Sequence, residues 1–339
     1  MTHSTREPIA VLGAGSWGTA LALHLGRVGH EVALWARAEE LVEEITRTRV
    51  NSRYLADLPL PDTVRATARL EDALERASSV VFAVPSHGLR QVLHEAAPLL
   101  AADAVLISAA KGLESGSLAR MSQVLAEGTG HTVPIVVLSG PSFALEVARG
   151  LPTAILAAST DCAAAAAVQE QFRGPALRLY GSDDVTGVEI GGALKNVIAI
   201  AAGVVEGVGF GHNAMAALIT RGLVEISRLA CAEGGRRDTL AGLSGLGDLV
   251  LTCTGELSRN RHVGIELGRG RRLADVLASM RMVAEGVRTT AAALALGARH
   301  GIELPITGQM AAVLDGQRTP REALETLMLR PQRQESEGK

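Results

Sequence analysis

Two lysines, an aspartate and a compact polar trio carry most of the reactive chemistry in this sequence. Lys195 interrupts the apolar, glycine-flanked helical run within VEIGGALKNVIAIAAGV, residues 188 to 204. Desolvation pushes a lysine toward its neutral form, so a buried one needs negative partners or a role in which its proton moves. The other reading is a side chain that snorkels from a core helix to the surface. Lys111 closes the apolar run AVLISAAK, 104 to 111, which aims its ammonium at a crevice beyond the strand end or leaves it a solvated loop lysine. In GLSGLGDLVLTCTGELSRNRHVG, 242 to 264, Asp248 follows two glycine-containing turns and Thr252 lies one helical turn later on the same face. Ser258, Arg259 and Asn260 follow as a trio. An arginine fork with Ser and Asn donors suits a phosphate, and the same trio also reads as a helix N-cap with solvated charges.

A second chemistry is written in GAGSWG, where Gly13, Gly15 and Gly18 follow the strand-like PIAVLG, 8 to 13, and precede a helical pattern. This is the G-x-G-x-x-G context of a dinucleotide turn. The first glycine permits the turn, the second lets backbone approach a pyrophosphate, and the third lets helix and strand pack closely. The helix N-terminus then favours the anion. Ser16 and Trp17 within the turn would face the cofactor, although Trp17 could instead cap the core. The next strand, HEVALWAR, ends in Arg37 where an acidic residue would bind ribose hydroxyls. An arginine there suits a 2′-phosphate and favours NADP(H); the alternative is an exposed arginine opening the next helix. Glu285, in MVAEGVRTT at 282 to 290, either accepts a hydrogen bond from the cofactor or caps the helix that follows.

These residues need elements to hold them. Strand-like runs recur at SSVVFAVP (78 to 85), AVLISAAK, IVVLSGP (135 to 141) and TAILAAS (153 to 159), with helical or loop patterns between. Such alternation predicts an α/β fold, a doubly wound, mostly parallel sheet with ligands gathered beyond the carboxyl ends of its strands. Pro85 and Ser86, Lys111 and Gly112, and Gly140 to Ser142 fall at those ends. The Ala-rich CAAAAAV, 162 to 168, reads as scaffold helix. After about residue 185 the strand-like runs stop, which predicts an all-α C-terminal domain. We therefore expect domains at 1 to 185 and 186 to 339, a break within YGSDDVTG, and a frayed tail from about residue 331.

Composition narrows the function classes. The 339 residues are 47% hydrophobic and 20% charged, which suits globular domains. A net charge of -3 and only 2% aromatics argue against nucleic acid as a partner. Cys162, Cys231 and Cys253 are scattered, and Cys253 with His262 makes no recognisable metal set, so no metal is expected. No nucleophile elbow stands out. The polar MTHSTREP runs straight into a strand and no run of about 18 apolar residues occurs, so a cytoplasmic protein, not an integral membrane one, is expected. The apolar helical domain points to a homodimer.

With these segments in view, the chain resembles NAD(P)-dependent glycerol-3-phosphate dehydrogenase of the bacterial type. The resemblance rests on GAGSWGTALA, VPSH (84 to 87), KGLE (111 to 114), SGPSFALEVARGLPTA (139 to 154), GGALKNVIAIAAG (191 to 203), TRGLVE (220 to 225), GLGDLVLTC (245 to 253), SRNR (258 to 261) and VAEG (283 to 286). It spans nearly the whole chain in order. It implies a Rossmann-type domain followed by a helical domain, with the substrate between them, and reduction of dihydroxyacetone phosphate to sn-glycerol 3-phosphate, the glycerolipid backbone of phospholipid synthesis. On it, Lys195 is the catalytic proton donor and acceptor, aided by Lys111 and Asp248. Lys111, Gly140, Ser142, Lys195, Asp248, Thr252, Ser258, Arg259 and Asn260 line the substrate. Gly13, Gly15, Ser16, Trp17, Gly18, Arg37, Lys111, Ala144, Arg259, Val283 and Glu285 hold NADP(H) or NAD(H). Ser142 stands where many relatives have Thr, which keeps the hydroxyl. Asp248 is expected to orient Lys195 and raise its pKa. Two other classes are a β-hydroxyacid-type dehydrogenase, which should lack the Ser-Arg-Asn trio, and a non-catalytic NADP(H) sensor, against which the lysines and Asp248 argue.

Overall fold

A computed structural model describes residues 6–131, 133–280, 282–332 and 334–335. The strands are β1 (Arg6–Leu12), β2 (His30–Trp35), β3 (Val50–Asn51), β4 (Leu55–Pro59), β5 (Val64–Thr67), β6 (Ser79–Phe82), β7 (Val105–Ser108), β8 (Ile135–Ser139), β9 (Thr153–Ala158) and β10 (Leu177–Ser182). Eight of them form one sheet in the order β10-β9-β8-β7-β6-β1-β2-β5, and β3 and β4 pair apart from it. Within the sheet every described pairing is parallel except β8 with β9. Chain order reverses direction at β1, between β6 and β2, which is the switch point where an open α/β sheet leaves a crevice.

The central strands are buried on both faces. Ile9 and Val11 enter one apolar cluster while their neighbours Ala10 and Leu12 enter another. That is why β1, β6 and β8 read as unbroken apolar runs. The sheet edges behave differently and escaped the sequence reading: β5 exposes Arg65, and β10 alternates buried Leu177 and Leu179 with exposed Arg178 and Tyr180. Short edge strands with charged, solvated positions carry little apolar signal. The hairpin β3–β4 was likewise not foreseen.

The segment YGSDDVTG, read as the domain boundary, joins the last strand of the sheet to the first of the C-terminal helices. Tyr180 to Ser182 finish β10, and the Asp184 side chain accepts a hydrogen bond from Gly187 N to cap the helix Val185–Val208. From there on, the described residues form helices only. The helix Val185–Val208 has a mean hydropathy of 1.6 over its most apolar window, long and apolar enough to cross a membrane, yet that window is wholly buried inside the protein. Its neighbour, the helix Arg259–Gly268, crosses it at backbone contact. A Cβ on Gly203 would lie 2.0 Å from Arg261 O, and one on Gly264 would lie 1.9 Å from Ile200 O. The first five residues of MTHSTREP, and positions 333 and 336–339 of the expected tail, lie outside the described residues.

Candidate active site

The long helix, the helix Asp248–Thr254 and the end of β7 converge on one carboxylate. Lys195 donates through Nζ to Asp248 Oδ1 and, at 2.9 Å, to Thr252 Oγ1. Lys111 donates to the other oxygen, Asp248 Oδ2, at 2.7 Å, and to Gly140 O at 2.8 Å, with Ser142 Oγ at 3.4 Å. Asp248 is 1% exposed and Lys195 6%, so the snorkelling alternative fails. Asp248 reaches this position because Leu243–Gly247 make a π turn just before it. Gly191 and Gly245 leave room for that turn: a Cβ on Gly191 would lie 2.9 Å from Ser244 O, and one on Gly245 would lie 2.0 Å from Leu240 O.

Electrostatics at this cluster sets opposed influences on Lys195. Burial pushes the Lys195 ammonium down to about 7; Asp248 pulls it up, and Lys111 adds to the depression. Asp248 raises the lysine as expected, but desolvation outweighs it. Burial alone would raise the Asp248 carboxyl, yet Lys111 and Lys195 together hold it below the ordinary range. Cys253, one residue past Thr252, is a thiol pushed up to about 12 by burial and therefore neutral.

The dinucleotide turn lies at the end of β1, and its glycines divide the work. Gly13 has φ +115, and a Cβ there would lie 2.9 Å from Ala83 C. A Cβ on Gly18 would lie 1.8 Å from Gly13 O, whereas one on Gly15 meets nothing within 4 Å. The open approach is thus at Gly15, beside the helix Ser16–Arg27, whose N-terminus has no side-chain cap. This is the arrangement a pyrophosphate requires, so these residues fit a dinucleotide. Trp17 packs on the core, with its Nε1 buried and unpartnered among the described residues. Ser16 Oγ donates to Met282 Sδ at 3.1 Å, which ties the turn to the segment before Glu285.

Sheet order sets the candidate residues in a row along the carboxyl strand ends: Arg37 after β2, the turn after β1, Ser86 after β6, Lys111 after β7 and Gly140 after β8. Arg37 is exposed and lines a cavity of about 400 Å3 with Arg69. Ala144 opens the helix Ala144–Arg149 and packs partly on the core. Val283 is 37% exposed.

The trio divides between the two readings. Ser258 is an N-cap, its Oγ accepting from Arg261 N at 3.2 Å. Asn260 donates to Asn196 Oδ1 at 2.9 Å and accepts from Gly286 N at 3.0 Å, which leaves one amide hydrogen for a ligand. Arg259 is open to solvent yet walled by protein, as a cleft residue is; desolvation lowers its pKa and Glu285 opposes that. Glu285 does not cap its own helix. It accepts from Ser86 N at 3.2 Å and Ser86 Oγ at 2.7 Å, linking sheet to helices. Sequence reasoning passed over Asn196, whose one signal was its place beside Lys195. It also gave Ser86 a position at a strand end without a partner.

The model for the N-terminus of NAD-dependent glycerol-3-phosphate dehydrogenase matches residues 8–165, and that for the C-terminus matches 184–325. The chain is 54% identical over 327 residues to glycerol-3-phosphate dehydrogenase (NAD(P)+) of Koribacter versatilis, covering 95% of this chain and 97% of that one. With the enzyme of the same name from Acidobacterium capsulatum, identity is 53% over 335 residues, 96% and 99% of the two chains. The crystal structure of glycerol-3-phosphate dehydrogenase from Coxiella burnetii superposes with a TM-score of 0.93 at 42% identity, over 96% of this chain and 100% of that one.

Proposed function

The chain belongs to the NAD-dependent glycerol-3-phosphate dehydrogenase family, and from that membership we propose that it reduces dihydroxyacetone phosphate reversibly to sn-glycerol 3-phosphate. The single observation that carries the reading is the convergence of Lys195 and Lys111 on buried Asp248, at the strand ends that also hold the dinucleotide turn. When bound, the reduced nicotinamide supplies the hydride to the ketone carbon.

The chain's own residues handle the charge that builds on the carbonyl oxygen. Lys195 gives its proton to that oxygen as general acid and takes it back in the reverse direction; an ammonium near 7 suits both roles. Lys111 stabilises the developing alkoxide. Asp248 and Thr252 hold the Lys195 ammonium in place. Arg259 and the remaining amide hydrogen of Asn260 take the phosphate, so the unreacting end of the substrate positions the reacting one. Gly140 and Ser142 complete the substrate wall around Lys111. Gly13, Gly15, Gly18, Ser16 and Trp17 cradle the cofactor, with Ala144, Val283 and Glu285 beside it and Arg37 at the 2′-position. We assign residues 1 to 185 to cofactor binding and the remainder to substrate, and we infer a cytoplasmic homodimer that supplies the backbone of phospholipids.

Relatives at half identity do not favour the β-hydroxyacid or sensor readings. The test is loss of reduced-cofactor absorbance with purified protein and dihydroxyacetone phosphate, NADPH and NADH run in parallel. Turnover is expected with at least one, and a higher kcat/KM with NADPH if Arg37 reads the 2′-phosphate. Cofactor binding without turnover overturns the reading.

A further inference from the structure

Glu189 is a buried carboxylate that the chemistry above leaves unused, 6% exposed and on the same helix as Lys195. At 1.5 Å per residue it lies about 9 Å before that lysine along the axis. Its Oε2 accepts from Arg120 Nη1 at 2.6 Å and from Ser122 Oγ at 2.5 Å, and its Oε1 accepts from Ser122 N at 2.8 Å. Arg120 ends the loop that begins at Lys111 and is the N-cap of the helix Met121–Gly128, and Ser122 lies in the first turn of that helix. That loop is tied within itself: Glu114 N donates to Ala119 O at 2.9 Å and Leu118 N to Glu114 O at 3.0 Å. Arg90 grips the Glu114 carboxylate with two bonds of 2.7 Å. A bridge between Leu113 and Arg120 brings the two ends of the loop together, so the hold on Arg120 reaches the residues next to Lys111.

We propose that Glu189 is a positioning residue: by clamping the far end of the Lys111 loop to the helix that carries Lys195, it sets where the Lys111 ammonium stands relative to Lys195 and Asp248. One helix then fixes both lysines, one directly and one through the loop. The inference rests on the dehydrogenase reading above.

Loosening the clamp has a signature that lost packing alone lacks. The charged groups facing Lys195 are Asp248 and Lys111. Behind it Cys253 is a neutral thiol, and Arg261 is paired with Glu206 at 2.6 Å. Lys111 is the member of this set that the loop can move, and as it recedes a like charge leaves Lys195, whose pKa rises.

The experiment compares wild type with Glu189→Gln, measuring kcat, KM for dihydroxyacetone phosphate, cofactor Kd and the pH profile of reduction. A misplaced Lys111 lowers kcat by about 10- to 100-fold. The cofactor Kd stays near that of wild type, and the alkaline limb of kcat/KM moves to higher pH. An alkaline limb that stays put, whatever kcat does, overturns the proposal. Should the Gln variant fail to fold, Ser122→Ala removes one bond and no charge, and a smaller shift in the same direction is required of it. Wild type without turnover defeats the dehydrogenase reading, and this inference falls with it.

Discussion

Two carboxylates in the helical half are buried almost equally and have pKa values shifted in opposite directions. Asp248 is 1% exposed and Glu225, on the helix Gly211–Ala232, is 3% exposed. Burial raises the pKa of each, but Asp248 meets two ammonium groups and is held below the ordinary range. Glu225 accepts from Ile306 N at 2.8 Å, Thr307 N at 2.9 Å and Thr307 Oγ1 at 2.6 Å, capping the helix Pro305–Leu314. Those donors and the charge of Arg228 offset part of the desolvation, and its pKa stays raised. The partners explain the difference. Ammonium groups bring full charges that can also leave as protons, so Asp248 is coupled to proton transfer. The groups that hydrogen-bond Glu225, two backbone N–H groups and a hydroxyl, bring only partial charges, so Glu225 fastens two helices together.

The comparison is tested hardest at Lys195. Lys195→Ala removes the proton donor and should lower kcat by about 10³-fold, leaving the cofactor Kd within a few-fold of wild type. Equal loss of both, measured by steady-state rates and fluorescence titration, breaks the claim that the two sites divide their work. Asp248→Asn comes next. It keeps the shape and removes the charge, so kcat should fall by about 10²-fold. Lys195 then loses the group that pulls its pKa upward, and the alkaline limb of reduction should move to lower pH. An unmoved limb would mean that Asp248 merely packs, as Glu225 does.

How much of this was legible in the sequence follows from how local each feature is. GAGSWG was readable because its three glycines answer to constraints within one turn and its neighbouring strand, as Gly13 at φ +115 and Gly18 against Gly13 O illustrate. The central strands were readable because both faces are buried; β5 and β10, with one wet side, were not. For the cluster, the types and neighbourhoods of Lys195 and Asp248 were readable, and their pairing was anticipated. That Lys111 takes the second oxygen depends on the chain beyond β7 meeting the helix Asp248–Thr254, and no local pattern encodes that contact. The net sign of the Lys195 shift was left open for the same reason: it is a balance of burial against one opposite and one like charge, and burial is a property of the whole fold. Ser258 and Glu285 were each left with two readings; the structure makes Ser258 a cap and turns Glu285 toward Ser86.

The smallest effect expected is at Glu225, and it sharpens the contrast from the quiet side. Glu225→Gln keeps an acceptor for one or two of the three donors, so kcat should stay within about twofold of wild type, while stability falls by about 1 to 2 kcal/mol. The pH dependence carries the sign. A carboxylate whose folded pKa is raised binds its proton more tightly in the fold than in the unfolded chain. Its stabilising contribution is therefore complete below the ordinary carboxylate range and is lost as pH rises through the folded value. The variant has no such group, so its deficit in Tm should be greatest at the acid end of a series from pH 5 to 8 and should shrink upward. Asp248 has the opposite linkage, because its lowered pKa contributes stability that disappears only as pH falls. A Tm deficit for Glu225→Gln that grows with pH would show that Glu225 is held charged in the fold, and the two carboxylates would then be alike.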